Sequence, residues 1–420
     1  MAKNKELILL TKRFPFFKTE AFLESEIDIL AEHFDTIRIF PYEIGNYCRQ
    51  VPENVVVDTT FSRVYQRKKS RAIQTLVSRE FRKAVADHFS HLKGPKDLNM
   101  LLKFVSNARA YYCFFEQQLE VINKEALIYT YWFNEATYAL LNLKLQYGLA
   151  VNIISRAHRF DIYEQLTTTR SFWPYRRFCL ENIDRLYSIS EDGKHYLEKR
   201  YKVQKEIEIA RLGVHDRQKM ARRSSLGIIQ IVSVSRIAPM KRVDFIRQAV
   251  LQYAFEHPNN KIVWTHFGDG PGMEELNQTS DIPENLVMDF KGHVKNDEVY
   301  GFYEQHSVDL FINLSSSEGI PVSIMEAISF GIPIVVTKVG GTGEIVSEVN
   351  GKLLSANPTL EEVVKAFSDV IKRKLQAEEI RRFFNSHYNA NTNYQAFAKS
   401  LAGIKEAESA PVDQYSTIHK

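Results

Sequence analysis

The chain has 420 residues, more than one domain of roughly 100–200 residues holds, so two or three domains are expected. Hydrophobic residues make up 44% and charged residues 25%, the balance of a globular protein that buries a sizeable core, which excludes a low-complexity or fibrous chain. A net charge of +4 is too modest to suggest a nucleic-acid partner, and no apolar run approaches the ~18–20 residues of a membrane span.

The opening MAKNKELILLTKRFPFF has too short an apolar run for a secretory signal. Glu6 to Leu10 reads as a strand and KRFPFFKTE as the loop after it. AFLESEIDILAEHF places Phe22, Leu23, Ile27, Leu30 and Phe34 on one helical stripe, and Thr36 to Phe40 alternates as a second strand. From about Arg63 to Glu120 the text is helical and mostly polar. Within it Arg63, Arg67, Lys68, Lys69, Arg71, Arg79, Arg82, Lys83, Lys93, Lys96 and Lys103 face only Glu80, Asp87 and Asp97. Strands return at Ala126 to Phe133, Val151 to Ser155 and Leu186 to Ser190. Between the last two lies TRSFWPYRRF, Thr169 to Phe178, where Arg170, Arg176 and Arg177 mix with four aromatic rings. Bases attract anionic headgroups and aromatic rings settle at their boundary, so both basic stretches suggest contact with an anionic membrane; a solvated helical face beside a partly buried aromatic loop is the plainer reading.

The second half alternates more regularly. Strands are expected at Ile228 to Val234, Lys261 to Gly268, Leu286 to Gly292, Asp309 to Ser315 and Ile332 to Thr337, with helical text between them. Strands separated by helices imply βαβ units and parallel sheets, and in such sheets ligands bind beyond the carboxyl ends of the strands. The fold expected is α/β, with two Rossmann-like domains facing across a cleft. The domains would be residues 1–215 and 216–390, followed by a C-terminal helix over 391–407 that packs back on the first domain. Residues 408–420 lack an apolar period and read as a disordered tail. Cys48, Cys113 and Cys179 offer neither metal spacing nor a disulfide framework, so a cytoplasmic location is expected.

Three stretches carry chemistry. In SSSEGIPVSIMEAISFGIPIVVT, Ser315 to Thr337, a loop follows a buried strand and opens a helix through Pro321. The free backbone N–H groups at that helix start suit a diphosphate, while Glu318 and Glu326 each offer two acceptor oxygens to hydroxyl pairs. A ligand with an anion between two hydroxylated rings, such as a nucleotide sugar, meets those requirements. In SVSRIAPMKRVD, Arg236 and Lys241 follow a strand five residues apart, and two cations there would hold a diphosphate and stabilise it as it leaves. In ISRAHRFDIYE, His158 follows a strand of the first half, with Arg156 before it and Asp161 three residues on. An imidazole there would hydrogen-bond a sugar hydroxyl, although a lone histidine is more often structural. GDGPG, Gly268 to Gly272, departs from G-x-G-x-x-G and reads as a tight turn with close backbone approach. No Asp-x-Asp pair is present to place a metal on a diphosphate, so no metal and no cofactor beyond the nucleotide-sugar substrate is expected.

Taken together, SRIAPMKRVD, GDGP, FKGHV, SEGIPVSIMEA and GIPIVVTKVGGTGEIV resemble the family 4 retaining glycosyltransferases of the GT-B fold. FPFFKTEAFLESEI and SRAHRFDIYE look like a subset that builds bacterial surface polysaccharides. The resemblance implies retention of configuration without a metal. Glu326 would bind the ribose, Arg236 and Lys241 the diphosphate, and Glu318 with the backbone of Gly319, Ile320, Pro321 and Val322 the donor sugar and its phosphate. His158 would approach that sugar from the acceptor side, where Phe16, Lys18, Thr19, Arg156 and Asp161 are also expected. Ser235, Arg242 and Arg159 stand where the family often has glycine, and Arg13 to Lys18 replaces its glycine-rich first loop, which bears on the acceptor. A nucleotide-sugar epimerase of the same architecture and a non-catalytic partner that kept the fold are the alternatives.

Overall fold

A computed structural model describes residues 5–17, 19–119, 122, 126–164, 172–276 and 282–404. They form two compact units. One runs to Ala210 and includes the C-terminal segment from Tyr394; the other is Arg211–Asn393. The expected boundary at 215/216 lies slightly beyond the observed one, and the expected tail 408–420 lies outside the described residues.

The first unit contains β1 (Glu6–Thr11), α1 (Ala21–Ala31), β2 (Thr36–Pro41), β3 (Val55–Val57), α2 (Thr60–Tyr65), α3 (Lys68–Leu76), α4 (Arg79–Asp87) and α5 (Pro95–Glu116). It continues with β4 (Leu127–Thr130), α6 (Glu135–Tyr147), β5 (Asn152–Ala157), α7 (Arg159–Ile162), α8 (Arg176–Asn182), β6 (Arg185–Ser188), α9 (Glu191–Tyr201) and β7 (Ile207–Ile209). Its seven strands are ordered β3-β2-β1-β4-β5-β6-β7, all parallel. The central strands read as continuous apolar runs because helices cover both faces. The helical text after Arg63 is not one helix. The Ser78 hydroxyl accepts from the Phe81 N–H at 3.1 Å and starts α4 afresh, while Gly94 and Pro95 open α5.

The second unit contains β8 (Ile228–Val234), α10 (Val243–Glu256), β9 (Lys261–Phe267), α11 (Met273–Leu276), β10 (Leu286–Gly292), α12 (Asn296–Gln305) and β11 (Leu310–Asn313). It ends with α13 (Val322–Ser329), β12 (Ile334–Thr337), α14 (Thr342–Ile345), β13 (Gly351–Leu354), α15 (Leu360–Arg373) and α16 (Ala377–His387). Its six strands are ordered β10-β9-β8-β11-β12-β13, again all parallel. The order reverses direction at β8, between β9 and β11, the kind of topological switch point beside which open parallel sheets bind their ligands. The last helix, α17 (Ala390–Ala402), contributes Tyr394 and Phe397 to the first unit.

Candidate functional site

In the second unit, the loops after β8, β9, β11 and β12 meet at the carboxyl edge of the sheet. Ser316 donates its N–H to the Met240 carbonyl at 2.8 Å, and Gly341 donates to the Gly319 carbonyl at 2.9 Å. Two glycines make this convergence possible. Gly268 has φ +144, and a Cβ there would lie 1.8 Å from the Ser235 carbonyl oxygen; Gly340 has φ +51, and a Cβ would lie 2.1 Å from that of Glu318. GDGPG is thus a backbone-approach turn against Ser235 to Ile237, whose N–H reaches the Asp269 carbonyl at 2.9 Å.

The Lys241 ammonium donates to the Glu318 carboxylate, and both side chains are largely buried. Arg236 is exposed and has no hydrogen-bond or ion-pair partner among the described residues. Pro321 stands at the N-cap of α13, one residue ahead of the helical turn expected for it. The backbone of Gly319 to Val322 therefore lies at the amino end of that helix, where unsatisfied N–H groups favour an anion. Glu326 sits one turn in and is 3% exposed. Its Oε1 accepts from Asn296 Nδ2 and the Tyr300 hydroxyl, both at 2.9 Å. Burial pushes its carboxyl above the ordinary value, partly offset by Tyr300. Asn296 and Tyr300 were not legible as site residues: they lie on α12, and only the tertiary fold brings them to Glu326.

In the first unit, the β1, β4 and β5 loops meet at the carboxyl edge of the other sheet. The Glu20 carboxylate accepts from the N–H groups of Lys12, Arg13 and Phe14 at 2.9, 2.7 and 2.7 Å, and from Trp132 Nε1 at 2.6 Å. A side-chain anion thus fills the nest of N–H groups that the loop after β1 presents. His158 packs against Tyr131 and Trp132, with ring centroids at 4.5 and 5.0 Å. Both its ring nitrogens are buried without a partner among the described residues. Burial, with the charge of Arg156, pulls its pKa well below the usual histidine range, so the imidazole is neutral near pH 7.

The acceptor-side residues separate. Thr19 is exposed, with its carbonyl accepting from Arg49 at 2.8 Å. Phe16 is half-buried and bridges Cys48 through its backbone, and Lys18 lies outside the described residues. Arg156 does not face an acceptor. It is fully buried, paired with the equally buried Glu26 of α1, and its guanidinium lies 4.7 Å from the Phe397 ring centroid. Burial opposes charge there, but the attraction of Glu26, joined by Tyr129, Tyr131 and Tyr394, holds Arg156 above its ordinary value. Asp161 is 1% exposed and also works inward, accepting from the N–H groups of His158 and of Phe133, the latter at 2.7 Å. Burial pushes it up to about 7, with Arg176 and the two amides opposing.

Of the aromatic-basic stretch, Phe172, Trp173 and Arg176 are internal, at 4%, 5% and 3% exposed, while Tyr175 and Phe178 are half-buried and Arg177 is in solvent. Arg176 donates to the carbonyls of Phe133 at 2.8 Å and Asp161 at 2.7 Å, so these residues form no headgroup belt. No helix among the described residues is long and apolar enough to cross a membrane.

Residues 229–373 match the family model described as Glycosyl transferases group 1. That span holds Arg236, Lys241, Glu318 and Glu326. Among curated relatives, the UDP-N-acetylglucosamine–peptide N-acetylglucosaminyltransferase GtfA subunit of Streptococcus gordonii is 24% identical over 53% of this chain and 44% of its own length. The O-antigen biosynthesis glycosyltransferase WbnH of Escherichia coli is 39% identical over 21% of this chain and 23% of its own. The chain thus spans less than half the length of these relatives. The solved apo structure of the lipopolysaccharide outer core galactosyltransferase WaaB superposes with a TM-score of 0.67 at 15% identity, covering 94% of this chain and 99% of that one. At that identity the likeness bears on fold. Residues 229–373 are accordingly a glycosyl transferases group 1 domain, in a chain with the two-sheet α/β fold of GT-B glycosyltransferases.

Proposed function

We propose that the protein is a retaining glycosyltransferase. It moves a hexose-type sugar from a nucleotide-diphosphate sugar to a glycan or lipid-linked glycan during surface polysaccharide synthesis. The observation that carries this reading is the second unit's loop edge. There Arg236, the Lys241–Glu318 pair and the start of α13 lie together within the matched residues, and Glu326 is held one turn beyond. The setting proposed is cytoplasmic, at the inner face of an anionic membrane.

Arg236 and Lys241 bind the diphosphate and offset the charge that grows on it as the sugar departs. A phosphate arriving at Lys241 competes with Glu318 for the ammonium and frees that carboxylate to accept sugar hydroxyls. Glu326 takes the ribose hydroxyls. Reaction follows a front-side route. The acceptor hydroxyl oxygen bonds to the anomeric carbon on the face from which the diphosphate leaves, the carbon–oxygen bond to the diphosphate breaks, and the hydroxyl proton passes to the departing phosphate oxygen. No metal takes part in the proposed step, since the two cations and the helix end supply the positive charge. His158, neutral and with both nitrogens free among the described residues, is proposed as a hydrogen-bonding partner of the transferred sugar.

Thermal melting against UDP, GDP, ADP and CMP tests the reading, because a ligand of the folded state raises the melting temperature. One diphosphate should stabilise the protein in the presence of a chelator, and its sugar conjugate should be consumed only with acceptor or by slow hydrolysis. Conversion of the free nucleotide sugar to an epimer would replace the transferase reading.

A further inference from the structure

The geometry points to the turn between α3 and α4 as a membrane-docking surface that buries three aliphatic side chains among anionic lipid headgroups. This rests on the proposal of a membrane-bound acceptor and names the part of the chain that meets the bilayer.

Ile73, Leu76 and Val77 are 69%, 53% and 75% exposed, an unusual cluster of large apolar groups facing solvent within five positions. Helical spacing explains it. In α3, Lys69, Ile73 and Leu76 stand four and three residues apart and share one face. The opposite face is turned to α5: Thr75 is buried, and the Arg71 guanidinium donates to the carbonyls of Ser106 and Tyr65, both at 2.8 Å. Arg71 is therefore an internal tie and not part of the basic patch. In α4, Phe81 and Ala84 are buried, which leaves Arg79, Arg82 and Lys83 outward.

The aliphatic step is thus bracketed by bases. Lys69 precedes it, and Arg79, Arg82 and Lys83 follow, all exposed; Lys68 is exposed as well but pairs with Glu43 at 3.7 Å. Of the nearby acids, Glu80 pairs with Arg109, and Asp87, which accepts from the neutral Tyr175 hydroxyl at 3.0 Å, stands against Lys69, Arg79, Arg82 and Lys83. The charge left over is positive and surrounds an apolar tip, which complements a bilayer with anionic headgroups over a hydrocarbon boundary.

The test is co-flotation of the full chain with vesicles of phosphatidylcholine containing roughly a third phosphatidylglycerol, against pure phosphatidylcholine. No sugar donor is present, so a failure here leaves the transferase reading standing. The wild type should float with the anionic vesicles only, and binding should fall in ~1 M salt. The triple variant Ile73→Ser, Leu76→Ser, Val77→Ser keeps every charge and should lose at least tenfold in partitioning, with unchanged melting. Arg79→Gln, Arg82→Gln and Lys83→Gln together should lose about fivefold per base removed. Val77→Trp should add a tryptophan emission that shifts to the blue on the anionic vesicles. Full binding by the serine triple variant, equal binding to neutral vesicles, no binding by the wild type, or an unshifted Val77→Trp emission would overturn the inference.

Discussion

Replacing Glu26 by alanine tests whether Arg156 holds the first unit together or serves a ligand. Both side chains are completely buried, and Nε and Nη1 of Arg156 have no other partner among the described residues. Without Glu26 the guanidinium keeps only the ring faces of Tyr131, Tyr394 and Phe397. Breaking a buried pair from one side costs about 3–5 kcal/mol, since a charge is left without compensation. For a unit of this size each kcal/mol lowers Tm by roughly 2–4 °C, so the expected drop is roughly 6–20 °C. Scanning calorimetry is the assay, because two units need not unfold together. The transition of the first unit should fall and that of the second stay in place. Replacing both partners, Glu26→Leu with Arg156→Met, should recover most of the loss, because apolar groups of similar volume need no partner. An unshifted Glu26→Ala would refute the pair's structural role. So would Arg156→Met, if it kept full stability and lost only affinity for the acceptor.

Arg236→Ala and Lys241→Ala should each remove about 2–4 kcal/mol of transition-state stabilisation, read as kcat/KM for the donor; normal turnover in either would remove that residue from the site. Tyr300→Phe deletes a donor to a buried carboxylate and should weaken nucleotide binding by about 1–2 kcal/mol in a calorimetric titration, although Tyr300 itself need not touch the nucleotide; unchanged affinity would mean that Glu326 needs no such positioning. His158 has a folded pKa below its unfolded value of about 6.5, so the unfolded chain binds the extra proton; the stability it contributes is whole above that pH and drains as pH falls below it. The stability difference between wild type and His158→Gln should therefore shift against the wild type as the pH drops from about 7 to 5, and a constant difference would show that His158 is not buried neutral.

Most of both sheets was legible because central parallel strands are apolar on both faces and bounded by turn residues. The strands that escaped, β3, β7 and β13, lie at sheet edges and are three, three and four residues long. Such segments have one neighbour and too little length to show a period. In the second unit's candidate site, the placement of Arg236, Lys241 and Glu318 at the sheet edge was legible because they sit in loops immediately after strands, while Glu326 lies inside α13 and its partners on α12. The first unit's site was not. Arg156 follows the same logic as His158 in sequence, yet it points into the core because its partner, Glu26, comes from a helix 130 residues earlier. Glu20 escaped for a related reason: its role depends on four donors, one of them 112 residues away. Likewise, an arginine-rich helical stretch gives no sign that Arg71 turns inward while its neighbours stay in solvent.

Hydrogen–deuterium exchange with and without the stabilising nucleotide diphosphate, in the presence of a chelator, tests the central claim most directly. The account predicts slowed exchange over residues 235–242 and 315–326, where Arg236, Lys241, Glu318 and Glu326 reside. Protection confined to the first unit, or appearing only when a divalent metal is supplied, would contradict it.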